Sequence, residues 1–106
     1  MAALDVIDTC CGFTTSVRVE RISKDRVSVH LESGCHMIMS CAPLLLDLRW
    51  AQALKPQTGE WLHAVMFTRI RHCGCLVPSA VARAIEVEVG ASLARKASIE
   101  FIDPNP

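Results

Sequence analysis

The sequence predicts an α+β fold: a small antiparallel sheet, built from an N-terminal hairpin with a C-terminal strand added, and helices packed on one of its faces. Three observations carry this expectation. Residues 14–22 and 26–32 both show the two-residue apolar period of a half-buried strand, separated by a short polar turn. Longer apolar stretches with helical spacing follow them, and glycines and prolines fall between those stretches. With 106 residues, 51% of them hydrophobic, the chain is expected to form a single domain, 1–106, with its own core.

In the first strand Thr15, Val17 and Val19 alternate with Ser16, Arg18 and Glu20. After Ser23-Lys24-Asp25, Val27, Val29 and Leu31 alternate with Arg26, Ser28, His30 and Glu32, so the hairpin should have one wet face. Ser33-Gly34 ends the second strand, and an apolar segment of helical length begins at Cys35. Pro43 within it predicts a kink or a restart, since an interior proline costs a helix about 3 kcal/mol. Residues 47–54 continue as helix, 55–59 form a loop, and 60–70 fit a third helix through Leu62, Val65, Met66 and Ile70, although Val65-Met66-Phe67-Thr68 would also fit a strand. Pro78 then suits the first turn of a helix whose apolar stripe is Val77, Val81, Ala84 and Ile85 and whose stop is Gly90. Residues 97–102 carry the composition of a last strand, and 103–106 form a frayed tail.

Composition narrows the function. Eleven basic residues balance eleven acidic ones, and the five aromatics include no Tyr. No basic run is present to neutralise a row of phosphates, and few rings are available to stack on bases, so nucleic acid is not an expected partner. No segment reaches the roughly 18 apolar residues of a membrane span. The first eight residues lack a basic region and carry Asp5 and Asp8, which is unlike a signal peptide, so a cytoplasmic setting is expected. Thiols stay reduced there, and six cysteines then read as ligands, reactive groups or core residues rather than as a disulfide framework.

The cysteines fall on turns. Glycine adjoins them in Cys11-Gly12, Gly34-Cys35 and Cys73-Gly74-Cys75. Cys11 precedes the first strand of the hairpin and Cys35 follows the second, so antiparallel pairing should bring them together. The loop carrying His72, Cys73 and Cys75 could complete a tetrahedral site, and such donors suit Zn(II) or an iron-sulfur cluster. Two of the turns lead into helices, whose N-terminal N–H groups are expected to favour thiolate. Cys10 could replace Cys11, but only Cys11 has the glycine beside it. Cys41 lies six residues past Cys35, about 240° round a helix, and reads as core. His30, His36 and His63 read as surface residues, and Arg69, Arg71 and Arg83 as a solvated rim.

From Cys11 to Ile85 the order of these features resembles the U-type iron-sulfur cluster assembly scaffolds: Cys11-Gly12 before a strand, Gly34-Cys35 after a hairpin, and His72-Cys73 ahead of an alanine-rich helix. The resemblance implies an iron-sulfur-scaffold-like fold in which Cys11, Cys35, His72 and Cys73 ligate a transient cluster or zinc. Phe13 stands where those scaffolds have Asp, and 65–71 replaces their Leu-Pro-Pro-Val-Lys chaperone-binding segment. The additional Cys75 suggests a more permanent four-ligand site. Cys75 followed by Pro78 is also similar to the last cysteine of TSCPD-type domains, and Cys75 to Ala80 looks like the Cys-x-Val-Pro-Ser-Ala motif of a small uncharacterised family.

The expected function is thus a small cytosolic metal-binding protein using Cys11, Cys35, His72, Cys73 and Cys75, with no enzymatic signature. The alternative is an interaction or regulatory module with structural cysteines, in which Leu44-Leu45-Leu46 and Trp50 meet a protein partner or a second copy. A Cys73–Cys75 redox pair ranks last, because so short a ring is strained.

Overall fold

The structure, a computed structural model, describes residues 1–8 and 11–104. Expectations for Cys10, Asn105 and Pro106 lie outside the described residues. Four strands form one antiparallel sheet in chain order: β1 Ala2–Ile7, β2 Thr14–Arg21, β3 Arg26–Ser33 and β4 Leu48–Arg49. The helices are α1 His36–Cys41, α2 Trp50–Ala53, α3 Leu62–Met66 and α4 Val77–Glu88, with a 3-10 turn at Ala42–Leu44. This is the α+β class the sequence predicts.

The hairpin forms because its alternation matches the pleat. Val17 pairs with Leu31 and Val19 with Val29, placing buried apolar side chains on one face. Arg18 pairs with His30 on the other. Burying each such side chain contributes about 1.5–3 kcal/mol of transfer free energy. In the turn, Ser23 Oγ donates to Asp25 Oδ1 at 3.0 Å and Ile22 N–H to the Arg26 carbonyl at 3.0 Å. α4 packs its predicted stripe, Val77, Val81, Ala84 and Ile85, onto β1 and β2. Leu62, Met66, Ile70 and Leu45 extend the same core. Gly90, at φ +81°, ends the helical run where expected.

Several elements differ from expectation. β1 is a strand that composition did not suggest, with Ala2, Leu4 and Val6 half-buried and Ala3, Asp5 and Ile7 exposed. Asp5 sits on its wet face and accepts a hydrogen bond from Ser16 Oγ at 2.8 Å. Residues 97–102 form no strand. Ile99, Phe101 and Ile102 are exposed, and the sheet's ladders, β1–β2, β2–β3 and β3–β4, do not include the segment. The helix expected over 47–54 starts only at Trp50, since Leu48 and Arg49 pair with Val27 and Arg26 at the far edge of β3. The helix expected over 60–70 is confined to Leu62–Met66. Pro43 does restart the chain, inside the 3-10 turn.

The apolar surface expected at Leu44-Leu45-Leu46 forms at Leu44 and Leu46, which are exposed, and not at Leu45. Leu45 is in the core, and its carbonyl accepts from Val29 N–H at 2.9 Å, continuing the ladder beyond β4. Trp50 is half-buried, with Arg21 stacked 5.7 Å from its ring and its indole N–H donating to the Lys24 carbonyl at 3.0 Å. Among the described residues, no helix is long and apolar enough to cross a membrane.

Candidate functional site

One end of the sheet gathers the cysteine-bearing turns. The pair Ile7 and Thr14 closes the β1–β2 ladder there, and Thr15 opposite Ser33 brings the end of β3 beside it. α4 enters at the same end. A pocket of about 90 Å³ opens here, lined by Cys11, Cys35, His72 and Cys75 together with Asp8, over Ile38 and Val77. Antiparallel pairing thus brings Cys11 and Cys35 to one cavity, and the loop before α4 delivers Cys75. Cys73 is exposed and does not line it.

Each thiol is held differently. Cys35 stands at the N-terminal boundary of α1 without a capping side-chain bond, and its N–H donates to Ser33 Oγ at 3.1 Å while Thr15 Oγ1 donates to the same oxygen at 2.9 Å. This chain of bonds fastens Cys35 to the end of the hairpin. Cys11 is exposed in a turn where Gly12, at φ +77°, donates its N–H to the Asp8 carbonyl at 3.0 Å. The Cys11 thiol points to the same carbonyl at 3.7 Å. Cys75 is half-buried beside the start of α4.

Burial pushes the Cys75 thiol up from its ordinary pKa. The Val77 N–H pulls it down, and the negative charges that Cys35, Cys11 and Asp8 can carry push it up again. The helix start therefore acts on Cys75 as the sequence suggests, but desolvation outweighs it and the metal-free thiol stays protonated at neutral pH. Cys41 is fully buried, with its thiol 3.5 Å from the Met37 carbonyl and 3.6 Å from that of Met66, and burial raises its pKa as well. It belongs to the core, as its helical position implies.

The donors line one pocket without being drawn into a coordination shell. Among the described residues, no three His, Cys, Asp or Glu side chains are close enough to hold an ion as they stand. The five described cysteines are all free of disulfides. A second polar cluster lies on the outer face of the sheet, where His30 Nε2 is 3.3 Å from Ser28 Oγ and 3.6 Å from Glu20 Oε1. Both contacts fall on one nitrogen, whereas a catalytic relay needs the hydroxyl and the carboxylate on opposite nitrogens. This cluster is not a triad.

Three features of the site escaped the sequence reading. Asp8 joins the pocket from the end of β1, a strand not anticipated. The Thr15–Ser33 bond was latent in the hairpin register, which sets those two residues opposite each other. Phe13, which also lines the pocket, lies against Gly34, where there is no room for a side chain.

A family model described as a family of unknown function (DUF6951) matches residues 2–101. Neither a curated protein nor a solved structure matches the chain.

Proposed function

The chain belongs to that family of unknown function, and we propose that it is a small cytoplasmic protein that binds a soft metal through Cys11, Cys35 and Cys75. His72 at the pocket wall supplies the fourth donor. The reading rests on one observation: three thiols and an imidazole, drawn from three separate turns, line a single cavity of about 90 Å³. Thiolate and imidazole donors of this kind suit Zn(II), or an iron-sulfur cluster where a larger group enters. Cys35 is the fixed donor. The turns bearing Cys11 and His72 to Cys75 must close on it, and each bound thiol must surrender its proton to solvent as the metal replaces it.

Metal analysis and absorption spectra of protein purified anaerobically test the proposal, before and after addition of Zn(II) or iron-sulfur reconstitution. We expect close to one metal centre per chain. Cys35→Ser should lower zinc affinity by at least about 10-fold, whereas Cys73→Ser should leave it within about 3-fold, by comparison with the effects known for altered metal sites. Protein that takes up no metal and whose melting temperature ignores added zinc would overturn the reading. The cysteines would then be packing residues of an interaction module.

A further inference from the structure

At the far end of β1 from the thiols, a groove of about 520 Å³ runs between the strand and the second half of α4. Its walls include Ala2, Ala3 and Leu4 on one side and Leu93 to Lys96 on the other, over Ala84 and Val87. Side chains along a strand alternate between faces, so a groove that meets three consecutive residues opens on the edge backbone. That edge is the one not paired with β2, since β1 ends the sheet. An open edge beside an apolar floor is a ready template for another strand.

The chain also carries a segment of strand composition that is in no strand. Residues 97–102 read Ala-Ser-Ile-Glu-Phe-Ile, rich in the branched and aromatic residues that fit a pleated surface. They lie in no regular element, with Ile99 76%, Phe101 105% and Ile102 85% exposed. We propose that the groove receives residues 97–102 of a second copy of this chain, added as a strand along the open edge of β1, and that the two copies exchange these segments reciprocally. Ile99 and Phe101, two residues apart, would point together onto Leu4, Ala84 and Val87.

The chain's own segment is a poor occupant. Leu93 to Lys96 already form a wall of the groove. The residues that follow leave that wall and stay exposed, Ile99, Phe101 and Ile102 included, rather than lying back on β1, which leaves them to a second copy. The radius of gyration, 14.0 Å, exceeds the roughly 13 Å expected of a compact chain of this length, and one axis extends to 50 Å against 29 and 26 Å for the others. A formal net charge of zero removes long-range repulsion between copies. Reciprocal exchange closes on a two-fold axis and doubles the contact, towards the total of about 1,000 Å² that a stable interface needs. The proposal is independent of the metal site, which lies at the other end of β1.

Sedimentation of the full-length protein over a range of concentrations, joined to amide hydrogen exchange, tests it. We expect a monomer–dimer equilibrium in which the amides of β1 and of residues 98–102 gain protection together as concentration rises. Phe101→Asp and Ile99→Asp should each weaken dimerisation by roughly 30-fold, the scale of a lost interface anchor. Far-UV circular dichroism of the dilute monomer should be unchanged in both variants, because neither side chain belongs to the core. A monomer at every concentration overturns the proposal, as does a dimer indifferent to both substitutions. Protection of residues 98–102 in the dilute monomer also overturns it, since that would show the segment docking on its own chain.

Discussion

Gly34 and Phe13 meet at the thiol pocket so closely that a Cβ at position 34 would lie 2.9 Å from Phe13 Cδ1 and 3.2 Å from Cε1. The first distance is shorter than carbon atoms tolerate, so Gly34→Ala must displace the ring or the turn before Cys35. We expect a loss of about 1–3 kcal/mol in urea unfolding. In the Phe13→Ala background the same substitution should cost distinctly less, a coupling that a double-mutant cycle reads directly. The buried thiols make a second residue-scale prediction. Burial raises the pKa of both Cys41 and Cys75, so the folded state keeps these protons above the ordinary thiol range while the unfolded chain releases them. Their contribution is therefore whole below the unfolded-state pKa and is lost as pH rises through the folded one. Urea midpoints of the metal-free protein should fall from neutral into alkaline pH, and Cys41→Ala should make that fall shallower.

α4 bears the largest apolar face that one helix presents to the sheet. Val81 is fully buried in it, whereas Arg83 is exposed two residues on. Val81→Ala should cost about 1–3 kcal/mol and Arg83→Ala less than about 0.5 kcal/mol, measured as shifts in urea midpoint at constant slope. This helix and the β2–β3 hairpin were legible because their signals are periodic and local. Elements defined by pairing were not. β4 is two residues long, too short for any period to show, and exists because Val27 and Arg26 offer it an edge. Residues 97–102 have strand composition but pair with no strand among the described residues, since composition reports preference and pairing is decided elsewhere. The site shows the same division. Hairpin geometry brought Cys11 and Cys35 into view, but Cys73 and Cys75 flank one glycine in the sequence, and only the path of the loop into α4 sets Cys75 at the pocket and Cys73 outside it.

The whole molecule is one sheet covered on one face, with a thiol-lined pocket at one end of β1 and an open groove at the other. The sheet order β1-β2-β3-β4 means that neighbours in the chain are neighbours in the sheet. The β1–β2 and β2–β3 ladders close over short connections, at little loop entropy, and hairpin closure of this kind takes about 1–10 μs, whereas β3 and β4 are joined through α1 and the 3-10 turn. α4 is the exception. It begins at Val77 yet packs on β1, which ends at Ile7, and on β2, which ends at Arg21. The ladders can zip in sequence, but the core stays open until that helix returns. Because contacts this distant in sequence form slowly, we expect its docking to limit the folding rate, and it brings Cys75 to the pocket that Cys11 and Cys35 also line.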